Sequence, residues 1–127
     1  MSLVSPPARL SVSLGGQDLR CRMSAENLSI VLGNFAENSA QHGARQLAIS
    51  AENRDEDVII SLQDDGDGIL PGNRDRIFAP FFTTRRDSGG TGIGLSIVAA
   101  LVSAHGGRAN VVESNRGAAF EVRLPAA

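Results

Sequence analysis

Asn34 and Asn38 stand four residues apart in the stretch LGNFAENSAQHG, and at helical pitch both carboxamides leave one flank of the same helix. Gln41 and His42 extend that flank. Neutral oxygen donors of this kind suit Mg²⁺, which takes oxygen ligands and keeps several waters while it bridges phosphates. A plain polar helix surface would use the same residues without any ligand. Further along, Asp64 closes a β-rich run and opens the pattern D-x-G-x-G, continued by Asp65, Gly66, Asp67, Gly68 and Ile69. A carboxylate at a strand end, beside backbone free of side chains, can accept from the exocyclic amine of a flat base such as adenine while the base packs on glycine. A tight turn explains the glycines equally well. A calcium loop does not, because the twelfth position counted from Asp65 is Arg76 rather than Glu.

A third cluster, GGTGIGL from Gly89 to Leu95, runs straight into a helical pattern. Small residues there let phosphates approach backbone N–H groups and the positive end of the helix dipole. No Gly-Lys-Ser/Thr occurs, which excludes a Walker loop. No strand immediately precedes the glycines and the third is misplaced, which excludes a dinucleotide-binding fingerprint.

These clusters need elements to position them. ARLSVSL alternates apolar and polar from Ala8 to Leu14, and Gly15-Gly16 before DLRCRM predicts a turn, so a hairpin is expected to open the domain. Ser24 offers an N-cap to a helix whose apolar face is Leu28, Val31, Leu32, Phe35 and Ser39, ending at Gly43. RQLAISAEN and DVIISLQDD, joined by the charged turn RDED, predict a second hairpin. From Gly66 to Gly92, with Pro71, Pro80 and no sustained period, a long mobile loop is expected, interrupted by the apolar knot IFAPFF. IGLSIVAALVSAH is apolar nearly all round and predicts a buried helix capped by Gly106-Gly107. RANVVES and AAFEVRL, around the turn NRG, predict two closing strands.

The whole chain sets limits on partners. Its 127 residues suit one domain, read as residues 8–127 behind a linker or cloning scar at 1–7, where MSLVSPP carries two prolines. Five Phe and no Trp or Tyr mean an aliphatic core. A net charge of -2 gives no footprint for nucleic acid, which is not expected as a partner. The single cysteine, Cys21, excludes an internal disulfide and fits a reducing, cytoplasmic setting. No apolar run approaches the ~20 residues that span a bilayer, so no membrane insertion by this piece is expected.

Taken in order, the motifs resemble the catalytic ATP-binding (HATPase) domain of two-component sensor histidine kinases, in the GHKL superfamily that includes gyrase and mismatch-repair ATPases. NFAENSAQHG looks like the N box, DDGDG the G1 box, IFAPFF the F box and GGTGIGL the G2 box, and the ending HGGRANVVESNRGAAFEVRLP follows the same family. The resemblance implies a Bergerat α/β sandwich, a mixed and mostly antiparallel sheet with helices packed on one face. It implies ATP and Mg²⁺ as cofactors, with Asn38 as the metal ligand and Asn34 beside it as the second catalytic residue. Asp64 would bind the adenine amine, and Gly66, Gly68 and Ile69 would lie against the base and ribose. Gly90, Thr91, Gly92, Gly94 and Leu95 would hinge the lid and cradle the phosphates. Phe78, Phe81 and Phe82 would anchor the lid or merely pack the loop, and Arg85 and Arg86 would neutralise phosphate charge or face solvent.

Two positions depart from related patterns. Gln41 stands where kinases of this family place Lys or Arg, which leaves a phosphate contact to His42 or a lid arginine. Asn34 stands where hydrolysing members and anti-sigma serine kinases carry Glu, and a carboxamide cannot take a proton from water. Neither His42 nor His105 has the setting of a phosphoacceptor, so the implied partners are a histidine-bearing dimerisation domain and, downstream, a response regulator. The parent kinase could be anchored in the inner membrane. The alternatives are an anti-sigma-type serine/threonine kinase and a degenerate interaction module that binds no nucleotide.

Overall fold

The computed structural model describes the backbone of residues 11–16 and residues 23–69, 76–78, 94–112, 114 and 116–126. The elements are β1 (Ser11–Gly16), α1 (Ala25–Gln41), β2 (Gln46–Arg54), β3 (Asp57–Asp64), α2 (Gly94–Ala104), β4 (Arg108–Val112) and β5 (Ala119–Pro125). The five strands form one sheet in the order β1-β2-β3-β5-β4. Only β1 and β2 are parallel, and α1 is the crossover between them; β2-β3, β3-β5 and β4-β5 are antiparallel. This is the mixed, mostly antiparallel α/β sandwich expected from the sequence.

Local chemistry explains where each helix begins and ends. The Ser24 hydroxyl accepts from Asn27 N–H at 3.1 Å, satisfying one of the four donors that a helix start leaves without partners. At the other end Ala44 N–H donates to Ser39 O and Gly43 N–H to Ala40 O, the paired bonds of a Schellman cap. The same pair closes α2, with Gly107 N–H on Val102 O and Gly106 N–H on Ser103 O. Both glycine stops read from the sequence are therefore real caps.

The core lies between the helices and one sheet face. Leu47 and Ile49 of β2, Val58, Ile60 and Leu62 of β3, and Phe120, Val122 and Leu124 of β5 meet Val31, Leu32, Phe35 and Ala36 of α1 and Leu95, Val98 and Val102 of α2, all buried. At the centre Phe35 and Phe120 stack tilted with centroids 4.8 Å apart. The opposite face carries Ala48, Ser50, Ser61 and Gln63, all exposed. Ile59 and Ala119 are buried on that face; Ile59, paired with Glu52 and Arg123, is fully so, with the Arg54–Glu52 and Arg123–Asp57 ion pairs close by in the strands.

Several sequence expectations need correction. Gly15 and Gly16 do not turn; they continue β1 and pair with Ser50 and Ala51. Gly-Gly is a permissive pair, and here the parallel ladder to β2 keeps it extended. The expected second strand falls mostly on residues 17–22, outside the described residues, while Met23 lies buried in a bend. Helix α2 is not buried all round: Leu95, Val98 and Val102 face the core, whereas Ile97 is 38% exposed on the outer face. The strand read as RANVVES is β4 over Arg108–Val112; Ser114 is not part of it, and Glu113 lies outside the described residues. Among the described residues no helix is long and apolar enough to cross a membrane.

Candidate functional site

The site is assembled around the end of β3. Asp64 is the last residue of that strand and only 4% exposed, a burial that an ionisable side chain tolerates when its oxygens are satisfied. They largely are. Oδ1 accepts from Gly66 N–H at 3.0 Å and from Ala118 N–H at 2.9 Å, and Oδ2 accepts from the Ser39 hydroxyl at 2.6 Å. A carboxylate has about four lone-pair sites, so three donors leave capacity for one more. That remaining acceptor is what a base with an exocyclic amine requires.

Ser39 was visible in the sequence only as a member of the apolar stripe of α1. The structure buries it completely and turns its hydroxyl onto Asp64, so this residue joins the site that sequence reasoning had left it out of. A signal existed: a serine on an otherwise apolar helix face has to find a partner when buried. Ala118 joins the site as well, through its backbone rather than its side chain.

The glycines of D-x-G-x-G serve close approach. A Cβ on Gly66 would come within 2.7 Å of His42 O, and one on Gly68 within 3.1 Å of Gly117 O. Asp67 N–H donates to His42 O at 2.9 Å, which ties the segment after β3 to the end of α1. Asp65 holds the neighbouring loop: its Oδ1 accepts from Arg45 N–H at 2.8 Å and Gln46 N–H at 3.0 Å. Those bonds from Gln46 and Arg45, with the Arg116 guanidinium adding a smaller effect, hold the Asp65 carboxyl below its usual pKa. Ile69 is half-buried and packs against the core.

On α1, Asn34 and Asn38 are both half-buried and one turn apart, as the spacing implied. The Asn34 amide donates from Nδ2 to Ile30 O at 2.9 Å, which leaves Oδ1 directed at the start of α2. A Cβ on Gly94 would stand 3.1 Å from that oxygen, so glycine at this position keeps it uncovered. Gln41 ends the helix and His42 caps it, both half-buried. Leu95 is buried beneath the first turn of α2. The structure thus brings Asn34 beside Gly94, and His42 beside Gly66 and the end of β3 at Asp64, with Asn38 and Gln41 on the same helix as Asn34. Phe81, Phe82, Arg85, Arg86, Gly90, Thr91 and Gly92 lie outside the described residues.

The start of the F box is described and is anchored. Ile77 is buried, and Phe78 meets Phe120 edge-on with centroids 6.4 Å apart, so Phe78 packs into the core beside the Phe35–Phe120 pair. A separate cavity of about 560 Å³, lined by Asp57, Gly106, Gly107, Arg108, Asn110, Glu121 and Arg123, opens at the other end of the sheet. Its charges balance and Asp57 is committed to Arg123 at 3.0 Å, so it offers no convergent chemistry comparable to Asp64. Among the described residues no cluster of three or more His, Cys, Asp or Glu could hold a metal; the paired side-chain oxygens of Asn34 and Asn38 on α1 are carboxamides.

Comparison with known proteins gives the fold its family. Residues 23–127 match the family model of histidine kinase-, DNA gyrase B- and HSP90-like ATPases. The alginate biosynthesis sensor protein KinB of Pseudomonas aeruginosa is 32% identical over 91% of this chain and 20% of its own length. The sensor histidine kinase ZraS of Salmonella typhimurium is 37% identical over 84% of this chain and 23% of its own. The chain therefore spans about a fifth of the length of these curated relatives. The ATP binding domain of PrrB from Mycobacterium tuberculosis superposes with a TM-score of 0.80 at 28% identity, covering 95% of this chain and 83% of that domain. A buried carboxylate at the end of β3, a carboxamide pair on α1 and these matches lead to one assignment: the chain belongs to the histidine kinase-, DNA gyrase B- and HSP90-like ATPase family, as an ATP-binding domain of the sensor histidine kinase kind.

Proposed function

We propose that residues 8–127 bind ATP at the edge formed by α1, the end of β3 and the start of α2, and present its γ-phosphate to a histidine on a separate dimerisation domain. The observation that carries this reading is the Asp64 carboxylate, buried, held by three donors and retaining one acceptor position. In the proposal that position takes the adenine amine, while the glycine backbone at Gly66 and Gly68 lies flat against the base and Ile69 borders it. Guanine presents a carbonyl oxygen at the same place and would set acceptor against acceptor.

The phosphates then extend toward α1 and the N-terminus of α2. Asn38 and Asn34 supply oxygen donors that fit Mg²⁺, and the Asn34 oxygen left open by Gly94 supports that fit. When bound, Mg²⁺ would neutralise phosphate charge and help fix the orientation of the oxygens. Gln41 or His42, together with Arg85 from the lid, would contact the phosphates, and Gly90, Thr91, Gly92 and Leu95 would shape the lid and the phosphate seat. The acceptor imidazole would attack the γ-phosphorus as the bond to the β-phosphate oxygen breaks, releasing ADP. Catalysis by this chain would be mostly positioning and charge stabilisation, and the carboxamide of Asn34 cannot serve as a base. A response regulator would take the phosphoryl group downstream, and the parent kinase would carry this domain on the cytoplasmic side.

Calorimetric titration with ADP and a non-hydrolysable ATP analogue, each with and without Mg²⁺ and with GDP as control, tests the reading. Saturable adenine-selective binding that Mg²⁺ strengthens for the triphosphate is expected. A folded sample that binds no adenine nucleotide would overturn it.

A further inference from the structure

We infer that the connection between β4 and β5, through Ser114 and Gly117, positions the carboxylate of Asp64 for base recognition; the inference rests on the ATP-binding reading above. Three consecutive residues at the end of β3 grip this connection. On the open sheet face, Gln63 Nε2 donates to Ser114 Oγ at 3.0 Å. On the core face, Asp64 N–H donates to Ala118 O at 2.9 Å and Asp64 Oδ1 accepts from Ala118 N–H at 2.9 Å. Beyond them, Asp65 Oδ2 stands 3.9 Å from the Arg116 guanidinium. That last contact is exposed and contributes little by itself.

Ser114 is the brace of the segment. Its hydroxyl donates to Arg116 O at 2.6 Å and accepts both Arg116 N–H at 3.2 Å and the Gln63 amide, which uses its one donor and both acceptor positions. The Arg116 backbone, two residues before the Ala118 N–H that reaches Asp64, is therefore tied at both its N–H and its C=O to a single oxygen. Gly117 completes the fit. Its φ is +67°, a Cβ there would collide with the Asp64 carbonyl oxygen, and it would stand 2.7 Å from Oδ1. Of the two amides on Oδ1, Gly66 is the next residue but one and moves with the strand end, so Ala118 is the donor that references the carboxylate to the rest of the sheet.

Ser114 and Gly117 act through Asp64 rather than on the ligand. Losing the brace should let the carboxylate rotate without removing it, and the effect should appear as lost discrimination for the base amine. Inosine diphosphate, which carries oxygen where adenine carries that amine, is the control. The test measures ADP and inosine diphosphate binding by the 127-residue chain and by its Ser114→Ala, Ser114→Thr and Gly117→Ala variants, with amide hydrogen exchange at Ala118 in the nucleotide-free proteins. Ser114→Ala should weaken ADP about three- to tenfold, change inosine diphosphate by about twofold or less, and speed exchange at Ala118. Ser114→Thr should restore both readouts, and Gly117→Ala should weaken ADP more than Ser114→Ala does. A parent-like ADP preference and Ala118 exchange in Ser114→Ala overturns the inference alone. Equal weakening of both nucleotides with a general loss of protection also overturns it, by showing a purely structural role. A parent chain that binds neither nucleotide removes the ATP-binding reading and this inference together.

Discussion

The Ser39 hydroxyl donates to Asp64 Oδ2 at 2.6 Å, joining the last turn of α1 to the end of β3 through two buried polar groups. Helix and sheet thereby meet through a specific bond as well as through apolar packing. A hydrogen bond to a charged acceptor contributes about 1.5 to 3 kcal/mol, and removing the donor leaves the carboxylate under-satisfied in a buried setting. Ser39→Ala should therefore lower stability by about that amount, read as an earlier midpoint in denaturant. Serine is small, so cavity formation adds little. A variant as stable as the parent would show that water replaces the hydroxyl without loss.

Asp64→Asn separates holding the fold from reading the base. The carboxamide oxygen can still accept Gly66 N–H and Ala118 N–H, and its NH₂ group can donate to the Ser39 hydroxyl, which is able to accept. The atom facing the ligand then changes from acceptor to donor. Folding should survive while ADP binding falls roughly ten- to a hundredfold, the equivalent of one charge-assisted hydrogen bond, and purines with oxygen in place of the amine should suffer less. Unaltered ADP affinity in this variant would sink the assignment of Asp64 to the base.

Asn38→Ala tests the metal side of the site without a stability cost. Alanine is the better helix former by a few tenths of a kcal/mol, and Asn38 is only half-buried on α1, so the melting temperature should stay level or rise slightly. The part of ATP-analogue binding that depends on Mg²⁺ should shrink, and binding of ADP measured without Mg²⁺ should not. If both fall equally, Asn38 contacts the nucleotide or shapes the pocket rather than holding the cation.

What could be read from the sequence follows from which forces are local. Caps, turns and apolar periodicity are decided within a few residues, so Ser24, Gly43, Gly106 and the RDED hairpin came out where expected. Motif residues on one helix or at one strand end also stayed together, as Asn34, Asn38 and Asp64 show. The misreadings are long-range. Nothing near Gly15-Gly16 says that the strand continues, because the parallel ladder that holds it extended comes from β2, more than thirty residues later. Ser39 looked like filler until its partner, 25 residues away, was in place, and Ala118 acts through a backbone N–H that carries no side-chain signature.

Asp65 gives the domain a pH dependence of known sign. Backbone N–H groups of Gln46 and Arg45 favour its ionised form in the folded chain, so its folded pKa lies below the ordinary aspartate value. A group with a depressed folded pKa adds stability that is fully present above the unfolded value and is lost as pH falls through the folded one. Asp65→Asn keeps an oxygen for both N–H donors but removes the titration. The parent should melt above the variant at pH 6 to 7, and the gap should close as pH is lowered through and below about 4. Thermal melts of both proteins across that range measure it directly. A constant gap would mean that the contribution of Asp65 is one of hydrogen-bond geometry alone, and a gap that widens toward acid would reverse the assigned direction of the shift.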